Sequence, residues 1–365
     1  KTTELVAMSH AFNDWNTDAE LDEVRADVGA WMAGTKEGTF EEVALALFRW
    51  QASNNQVYRL FLEAMGTDVG GIERVDDIPC LPVEMFKHHR VQSGEWTAHH
   101  AFKSSGTSGQ RQRSTHWLDP EGLTWYRDVA SRAWSQIWGS EVKDHQWLGL
   151  LPGYVGREDA SLLTMVHGFC DASGHATSRM FMDDHVALNR QLLAWFSTTH
   201  SLTLVLFGVT WAILDWLEGP DAPDHDWSQS LRWKEVILVE TGGMKGRDEE
   251  PIREEVHARI RKALPWIRIS SEYGMTEMLS QAYALDGQQH VFPFWSHAMV
   301  RDPKDPLASQ PVGRSGRLDV VDLANVHSCA FLATSDLARK GDAGLSLLGR
   351  CDNAEARGCS LLTLG

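Results

Sequence analysis

Apolar positions change their spacing twice along this chain, and the changes divide it into three parts. Between Phe40 and Met65, Val43, Leu47, Phe48, Tyr58, Phe61 and Leu62 recur at helical intervals, with Gly66 placed as a stop. The spacing predicts a helical opening that reaches about residue 75. Asp76-Asp77-Ile78-Pro79 and Leu81-Pro82 then break it, because proline lacks an N–H and restricts the residue before it. From Phe102 to about Leu285, short solid apolar runs alternate with longer amphipathic ones. Leu148–Leu151, Leu202–Phe207, Val236–Val239 and Trp266–Ile269 predict strands; Leu188–Phe196 and Ile252–Leu264 predict helices. Such alternation predicts an α/β architecture with layered sheets. Gly219–Asp226 is an acidic, proline-containing surface loop. From Phe292 onward the pattern is shorter and turn-rich, as in Leu318–Leu323, which predicts a small β-rich subdomain. The expected units are a helical N-terminal segment (1–100) packed on the core, an α/β core (101–290) and a β-rich subdomain with a cysteine-bearing tail (291–365). No internal repeat or low-complexity tract interrupts them.

Length and charge narrow the classes. A chain of 365 residues exceeds the roughly 250–300 at which single cores stop growing. A formal net charge of -16 disfavours a general nucleic-acid binder. The five cysteines (Cys80, Cys170, Cys329, Cys351, Cys359) are odd in number and irregular in spacing, which argues for a reducing compartment over a disulfide framework. Lys1–His10 has no apolar leader core, and Leu202–Leu214 is too short to span a bilayer and is interrupted by Gly208 and Thr210. The expectation is a cytoplasmic protein with no membrane span.

Three segments carry candidate chemistry. Lys103-Ser104-Ser105-Gly106-Thr107-Ser108-Gly109-Gln110 combines glycines that permit tight turns with hydroxyls and N–H groups that could wrap a phosphate chain. It lacks the Lys-Ser or Lys-Thr ending of a Walker A loop, and read alone it favours a flexible surface turn. Ser270-Ser271-Glu272-Tyr273-Gly274-Met275-Thr276-Glu277 follows a predicted strand, where α/β sheets place ligands. Tyr273 is suited to stack on a base, Thr276 to bond a phosphate and Glu277 to hold magnesium; the plainer reading is a polar turn capping a helix. Thr334-Ser335-Asp336, then Gly344 and Gly349-Arg350-Cys351-Asp352, offers a carboxylate with two acceptors for ribose hydroxyls and a guanidinium fork. Read alone, these are ordinary turn residues.

Their order changes the picture. A Ser/Gly/Thr loop, then YGMTE, then T-S-D, then G-R-x-D resembles the nucleotide-binding motifs of adenylate-forming enzymes, which include acyl-CoA synthetases and luciferases. That resemblance spans about residues 100–358. Phe48-Arg49-Trp50-Gln51, Asn55, Tyr58, Ile78–Lys87, Glu240–Gly246 and Arg357-Gly358-Cys359-Ser360-Leu361 further resemble the LuxE-type acyl-protein synthetases. The resemblance implies ATP-dependent activation of a fatty or other carboxylic acid to an acyl-adenylate. Transfer to a protein cysteine thiol follows, and a reductase partner for the acyl-protein or acyl-CoA is implied. It assigns Cys359, Thr276 and Glu277 to catalysis, and Ser104, Ser105, Gly106, Thr107, Ser108, Gly109, Glu272, Tyr273, Gly274, Asp336 and Arg350 to ATP, with magnesium on Glu277.

Several departures from the family pattern stand out. Gln110-Arg111-Gln112-Arg113 replaces the usual lysine after the loop, so Arg111 or Arg113 is the candidate charge. T-S-D replaces T-G-D, and the residues up to Gly365 leave no room for the mobile C-terminal domain of acyl-CoA ligases, which the fold is expected to lack. The alternatives are a phenylacetate-type CoA ligase and a nucleotide-binding pseudoenzyme. His167, Cys170 and His175 form at most a partial zinc set, and Asp183-Asp184-His185 reads as a helix cap. Trp125, Trp134, Trp138, Trp147 and Trp211 could line an apolar pocket, although most tryptophans are expected in the core.

Overall fold

In the computed structural model, residues 15–350 are described, apart from 17, 106–111, 153–155, 198–201, 224–234, 243–251, 286, 288 and 343. The helical opening is broken in the middle. Leu21–Met32, Phe40–Asn54 and Gln56–Ala64 are helices, and the expected continuous stretch from Phe40 to Met65 is divided at Asn55. Asn55 is extended, and its side chain accepts from the Tyr58 N–H at 3.0 Å, so it caps the next helix instead of continuing the last. Thr39 and Glu42 form a reciprocal capping box at Phe40. Gly66 takes a left-handed φ of 68° and ends the third helix where the sequence placed a stop.

The solid apolar runs form one sheet. Its strand order is Arg179–Met180, His145–Leu150, Thr203–Val209, Val236–Thr241, Arg268–Tyr273 and Ala282–Ala284. All neighbours are parallel except the last pair. Every residue of His145–Leu150 and Val236–Thr241 is buried, which explains why these strands read as continuous apolar runs. The predicted helices appear as His185–Ser197 and Arg253–Ala263. Leu202–Leu214 is a strand running into the helix Thr210–Glu218, and no described helix is long and apolar enough to cross a membrane. Asp184 accepts from the Ala187 N–H at 2.8 Å, the capping role read from the sequence.

The second sheet is mostly antiparallel and holds Ser296–Asp302, Asp305–Ser309, Ser315–Asp322, Phe331–Lys340 and Leu345–Arg350. One member comes from far upstream: Leu81–Pro82 pairs in parallel with Leu332–Ala333. Thr334-Ser335-Asp336 lies inside the ten-residue strand Phe331–Lys340, not in a turn after a strand as its composition suggested. The triplet sits where the register with Ser315–Asp322 shifts, between the pairs Arg317–Leu337 and Asp319–Ala333, while Asp336 pairs with Arg350 on the other side, so an irregular stretch of strand accommodates the turn-forming Ser and Asp. A separate hairpin, His100–Lys103 with Thr115–Leu118, carries the Ser/Gly loop at its tip.

Tryptophans fill the core. Trp134 stacks on Trp138 at 4.5 Å and meets Trp147 and Tyr283 edge-on at 4.6 and 5.4 Å, while Trp125 donates to the Ala324 carbonyl at 2.8 Å. Polar contacts tie the N-terminal helices to the rest. Arg25 and Asp119 form a buried ion pair at 2.8 Å. Tyr58 donates to the Pro79 carbonyl at 2.7 Å and stacks on Phe331. Gln51 is fully buried; its amide donates to the carbonyls of Asn325, Val326 and Ser328 at 3.0–3.2 Å, and its oxygen accepts from the Ala330 N–H at 2.9 Å. Asn55 adds a bond to the Ser328 carbonyl at 2.9 Å.

A buried group that loses its partner bears a desolvation cost of about 1–3 kcal/mol. Gln51→Met keeps volume but strips all four bonds from residues 325–330. Urea unfolding should show a loss of about 2–4 kcal/mol. A loss below about 0.5 kcal/mol would mean that water or neighbouring groups replace Gln51.

Candidate functional site

Two parallel strands deliver the site's polar residues to their C-terminal ends. Val236–Thr241 and Arg268–Tyr273 run in register, with Glu240 opposite Ser271 and Thr241 opposite Glu272. Alternation sends neighbouring side chains to opposite faces, so two separate carboxylate clusters form. In one, Glu240 accepts from Ser271 and Thr210, the latter at 2.8 Å, with His257 Nε2 3.3 Å away. Burial pushes the Glu240 carboxyl up, but the hydrogen bonds from His257, Ser271 and Thr210 outweigh it and hold the group below its ordinary range. In the other, Glu272 accepts from the Thr241 hydroxyl. There burial wins, helped by the charge on Glu240, and Glu272 is pushed up to about 7.

Beyond Tyr273 the chain leaves the sheet and crosses to the hairpin and the second sheet. The Tyr273 hydroxyl donates to Asp336 Oδ2 at 2.8 Å. Arg350 lies opposite Asp336 in the strand pairing, its Nε 3.9 Å from Oδ1. Burial raises the Asp336 carboxyl above its usual range against the Tyr273 bond and the Arg350 charge. Three residues drawn from two distant motifs therefore meet. Gly274 is exposed, and a Cβ there would fall 2.6 Å from the Glu272 carboxylate, so a side chain at this position would require that carboxylate to shift.

Glu277 is 5% exposed, and burial raises its carboxyl despite a hydrogen bond with Ser114 and the charge of Arg350; Glu84 raises it further. No three His, Cys, Asp or Glu residues converge as a metal cage among those described. Magnesium bound with substrate phosphates needs only one or two protein carboxylates, and a lone buried carboxylate with raised proton affinity suits a cation. Glu277 therefore fits the magnesium role. His167, Cys170 and His175 do not assemble into such a group.

At the hairpin tip, Ser104 and Ser114 close the loop: the Ser104 N–H donates to the Ser114 carbonyl at 3.0 Å, and the Ser114 N–H to Ser104 Oγ at 3.1 Å. Ser105 is exposed beside it. Gly106, Thr107, Ser108, Gly109 and Arg111 lie outside the described residues, as do Cys351 and Cys359. Arg113, a candidate for the missing lysine's charge, instead binds the loop's base: it donates to the Ser104 and Lys103 carbonyls and pairs with Asp159 at 3.3 Å.

Residues 11–145 match a family model described as acyl-protein synthetase, LuxE. The LuxE-like segment thus holds the N-terminal helices, Leu81–Pro82 and the hairpin. No curated protein matches the chain in sequence. Among solved structures, a 2-hydroxyisobutyryl-CoA ligase (HCL) in the postadenylation state, in complex with R3-HIB-AMP, matches at 13% identity and a TM-score of 0.58, over 96% of this chain and 73% of its own. An open conformation of HCL in complex with 2-HIB-AMP and CoA gives 13%, 0.57, 91% and 70%. An ATP-bound RpMatB–BxBclM chimera gives 17% and 0.47, over 69% of this chain, which spans 48% of the chimera's length. The fold is that of the adenylate-forming ligases.

The structure also contains residues that no motif announced. His116 contacts the Thr276 carbonyl at 2.8 Å, Asn325 donates to the Glu277 carbonyl at 2.8 Å, and Asp322 accepts from the Leu279 and Ser280 N–H groups at 2.8 and 2.9 Å. Only His116 left a trace in the sequence: it alternates with Leu118 on the buried side of its strand, where an apolar residue was due.

Glu272 makes stability depend on pH. Its folded-state proton affinity lies above its ordinary value of 4.5. Its contribution is complete below pH 4.5 and is lost as pH rises through about 7. Glu272→Gln should therefore unfold at higher urea than the parent at pH 8, by about 1–3 kcal/mol, with the advantage gone at pH 4. An equal effect at both pH values would mean that Glu272 ionises normally.

Proposed function

We propose that this chain activates a fatty or other long-chain carboxylic acid with ATP and carries the acyl group on the thiol of Cys359, as a LuxE-type acyl-protein synthetase of the cytoplasm. The observation that supports this most is the meeting of Tyr273, Asp336 and Arg350 beside the Thr276-Glu277 dipeptide, in a fold shared with adenylate-forming ligases. The LuxE match over residues 11–145 supports the choice of a protein thiol over CoA as acceptor.

In this reading the substrate carboxylate oxygen attacks the α-phosphorus of ATP. The bond from that phosphorus to the bridging oxygen breaks, and pyrophosphate leaves with the electron pair. The Cys359 thiolate then attacks the carbonyl carbon of the mixed anhydride and AMP departs, leaving a thioester for a reductase partner. The hydroxyls and N–H groups of Ser104, Ser105, Gly106, Thr107, Ser108 and Gly109 hold the phosphates, and Tyr273 and Gly274 face the base beside Glu272. Asp336 accepts from the ribose hydroxyls, its Oδ1 being the oxygen that Tyr273 leaves open. Arg350 is 58% exposed and able to turn toward phosphate or ribose. Magnesium, held by Glu277 and the phosphates, would neutralise charge that builds on the departing pyrophosphate. Thr276 orients the α-phosphate.

Two measurements test the two halves separately. Glu277→Gln should abolish magnesium-dependent, acid-dependent pyrophosphate exchange with an unchanged circular dichroism spectrum; wild-type exchange would make YGMTE a structural turn. Incubation with ATP, magnesium and a labelled hexadecanoic acid should add one hydroxylamine-labile acyl group by intact mass. That adduct should vanish in Cys359→Ser while first-turnover pyrophosphate release persists. Thioester that appears only when CoA is added would overturn the protein-acceptor half and favour a CoA ligase.

A further inference from the structure

Residues 274–281 have neither helix nor strand hydrogen bonding, yet Glu277 to Gln281 are buried. Their backbone groups need partners from elsewhere. Two consecutive carbonyls, those of Thr276 and Glu277, are each met by one side chain. His116, on the hairpin, reaches the Thr276 carbonyl at 2.8 Å. Asn325, in the turn between Ser315–Asp322 and Phe331–Lys340, donates to the Glu277 carbonyl at 2.8 Å and to the Cys329 carbonyl at 2.9 Å. We propose that His116 and Asn325 are positioning residues for adenylation, clamping the peptide planes that aim Thr276 and Glu277. This rests on the functional reading above and adds to it.

The geometry fixes the protons. A carbonyl only accepts, so His116 Nδ1 carries the hydrogen. In a neutral ring Nε2 is then an acceptor. His327 Nε2 stands 3.1 Å from it and must be the donor. Burial keeps both rings neutral: His116 is pushed down to about 4, and His327 lies well below its ordinary value. His327 sits in the same turn as Asn325, and that turn's backbone is gripped by Gln51 and Asn55. One turn therefore controls both carbonyls, one directly through Asn325 and one through His327 and His116.

The reason this bears on rate is lever geometry. Rotating the peptide plane on either side of Glu277 swings a carboxylate several bonds long, and misplacement by about 1 Å can cost on the order of 100-fold. Such a defect slows the reaction more than it weakens ground-state ATP binding.

The test uses the full chain and two substitutions at one position. His116→Phe fills the site without a donor; His116→Asn keeps a donor near Nδ1. Two readouts are taken: acid-dependent ATP–pyrophosphate exchange, and hydrogen–deuterium exchange of residues 274–280 with the buried strand 145–150 as reference. For His116→Phe, kcat should fall at least tenfold with KM for ATP within threefold, and amides of 274–280 should exchange at least tenfold faster while 145–150 is unchanged. His116→Asn should recover at least a third of kcat and most of the protection. Equal loss in both variants, or wild-type rate and protection in His116→Phe, would overturn the clamp. If the parent shows no exchange reaction, the adenylation reading fails on its own, and amide protection still decides whether the clamp exists. Should His116→Phe fail to fold, the near-isosteric Asn325→Leu is held to the same criteria.

Discussion

The constraint on which the site depends is an unpaired backbone. Between Tyr273 and Ala282 the chain has no regular structure, and Glu277 to Gln281 within it are buried, so peptide groups that a helix or sheet would satisfy internally are met largely by side chains. His116, Asn325 and Asp322 do this from three different strands and turns, and Trp295 supports Ser280 from a fourth. Each of these residues is itself held: His116 by His327, the Asn325 turn by Gln51 and Asn55, and the Asp322 carboxylate by Ser280 Oγ at 2.6 Å. Satisfaction of one loop thus draws in the hairpin, the 325–330 turn and two N-terminal helices.

That network explains what was legible in the sequence and what was not. Strand and helix placement followed from periodicity, because parallel strands buried on both faces have a distinctive apolar signature, as at Val236–Thr241. The break at Asn55 was missed because the apolar spacing continues across it; the residue's cap bond decides, and a cap shows only faintly in a composition. Asp336 read as a turn residue because its neighbours are Ser and Thr, while cross-strand pairing with Arg350 makes it a strand residue. The motif residues Tyr273 and Asp336 were recognisable in themselves, but the bond between them, 63 positions apart, is a product of topology. Partners such as Asn325 and His327 were invisible because a side chain that holds a remote carbonyl needs no local pattern.

Gln51, Asn55 and Tyr58, quoted at first only as points of family likeness, acquire a physical role in this setting. All three point toward the second sheet or its approaches, and none faces Asp336 or Glu277 directly. Beside the Ser/Gly loop, the LuxE-like segment, residues 11–145, contributes support: a buried ion pair from Arg25 to Asp119, two amide side chains on the 325–330 turn, and the hairpin that carries His116. Electrostatics at the strand ends follow a similar division of labour. Three donors hold the Glu240 carboxyl below its ordinary range, whereas Glu272, bonded to Thr241, is pushed up by burial to about 7.

The pairing of Leu81–Pro82 with Leu332–Ala333 also bears on how the chain comes to be folded during synthesis. Its first helices find their hydrogen-bonding partners some 270 residues later, Gln51 with Ser328 being separated by 277 positions. A ribosome adding about 5–20 residues each second must run for on the order of 15–60 seconds before that partner emerges. Throughout that interval Phe48 and Tyr58 lack Phe331, against which both rings pack. Contacts of such long sequence separation form late, so these rings complete their packing only after most of the chain has been made.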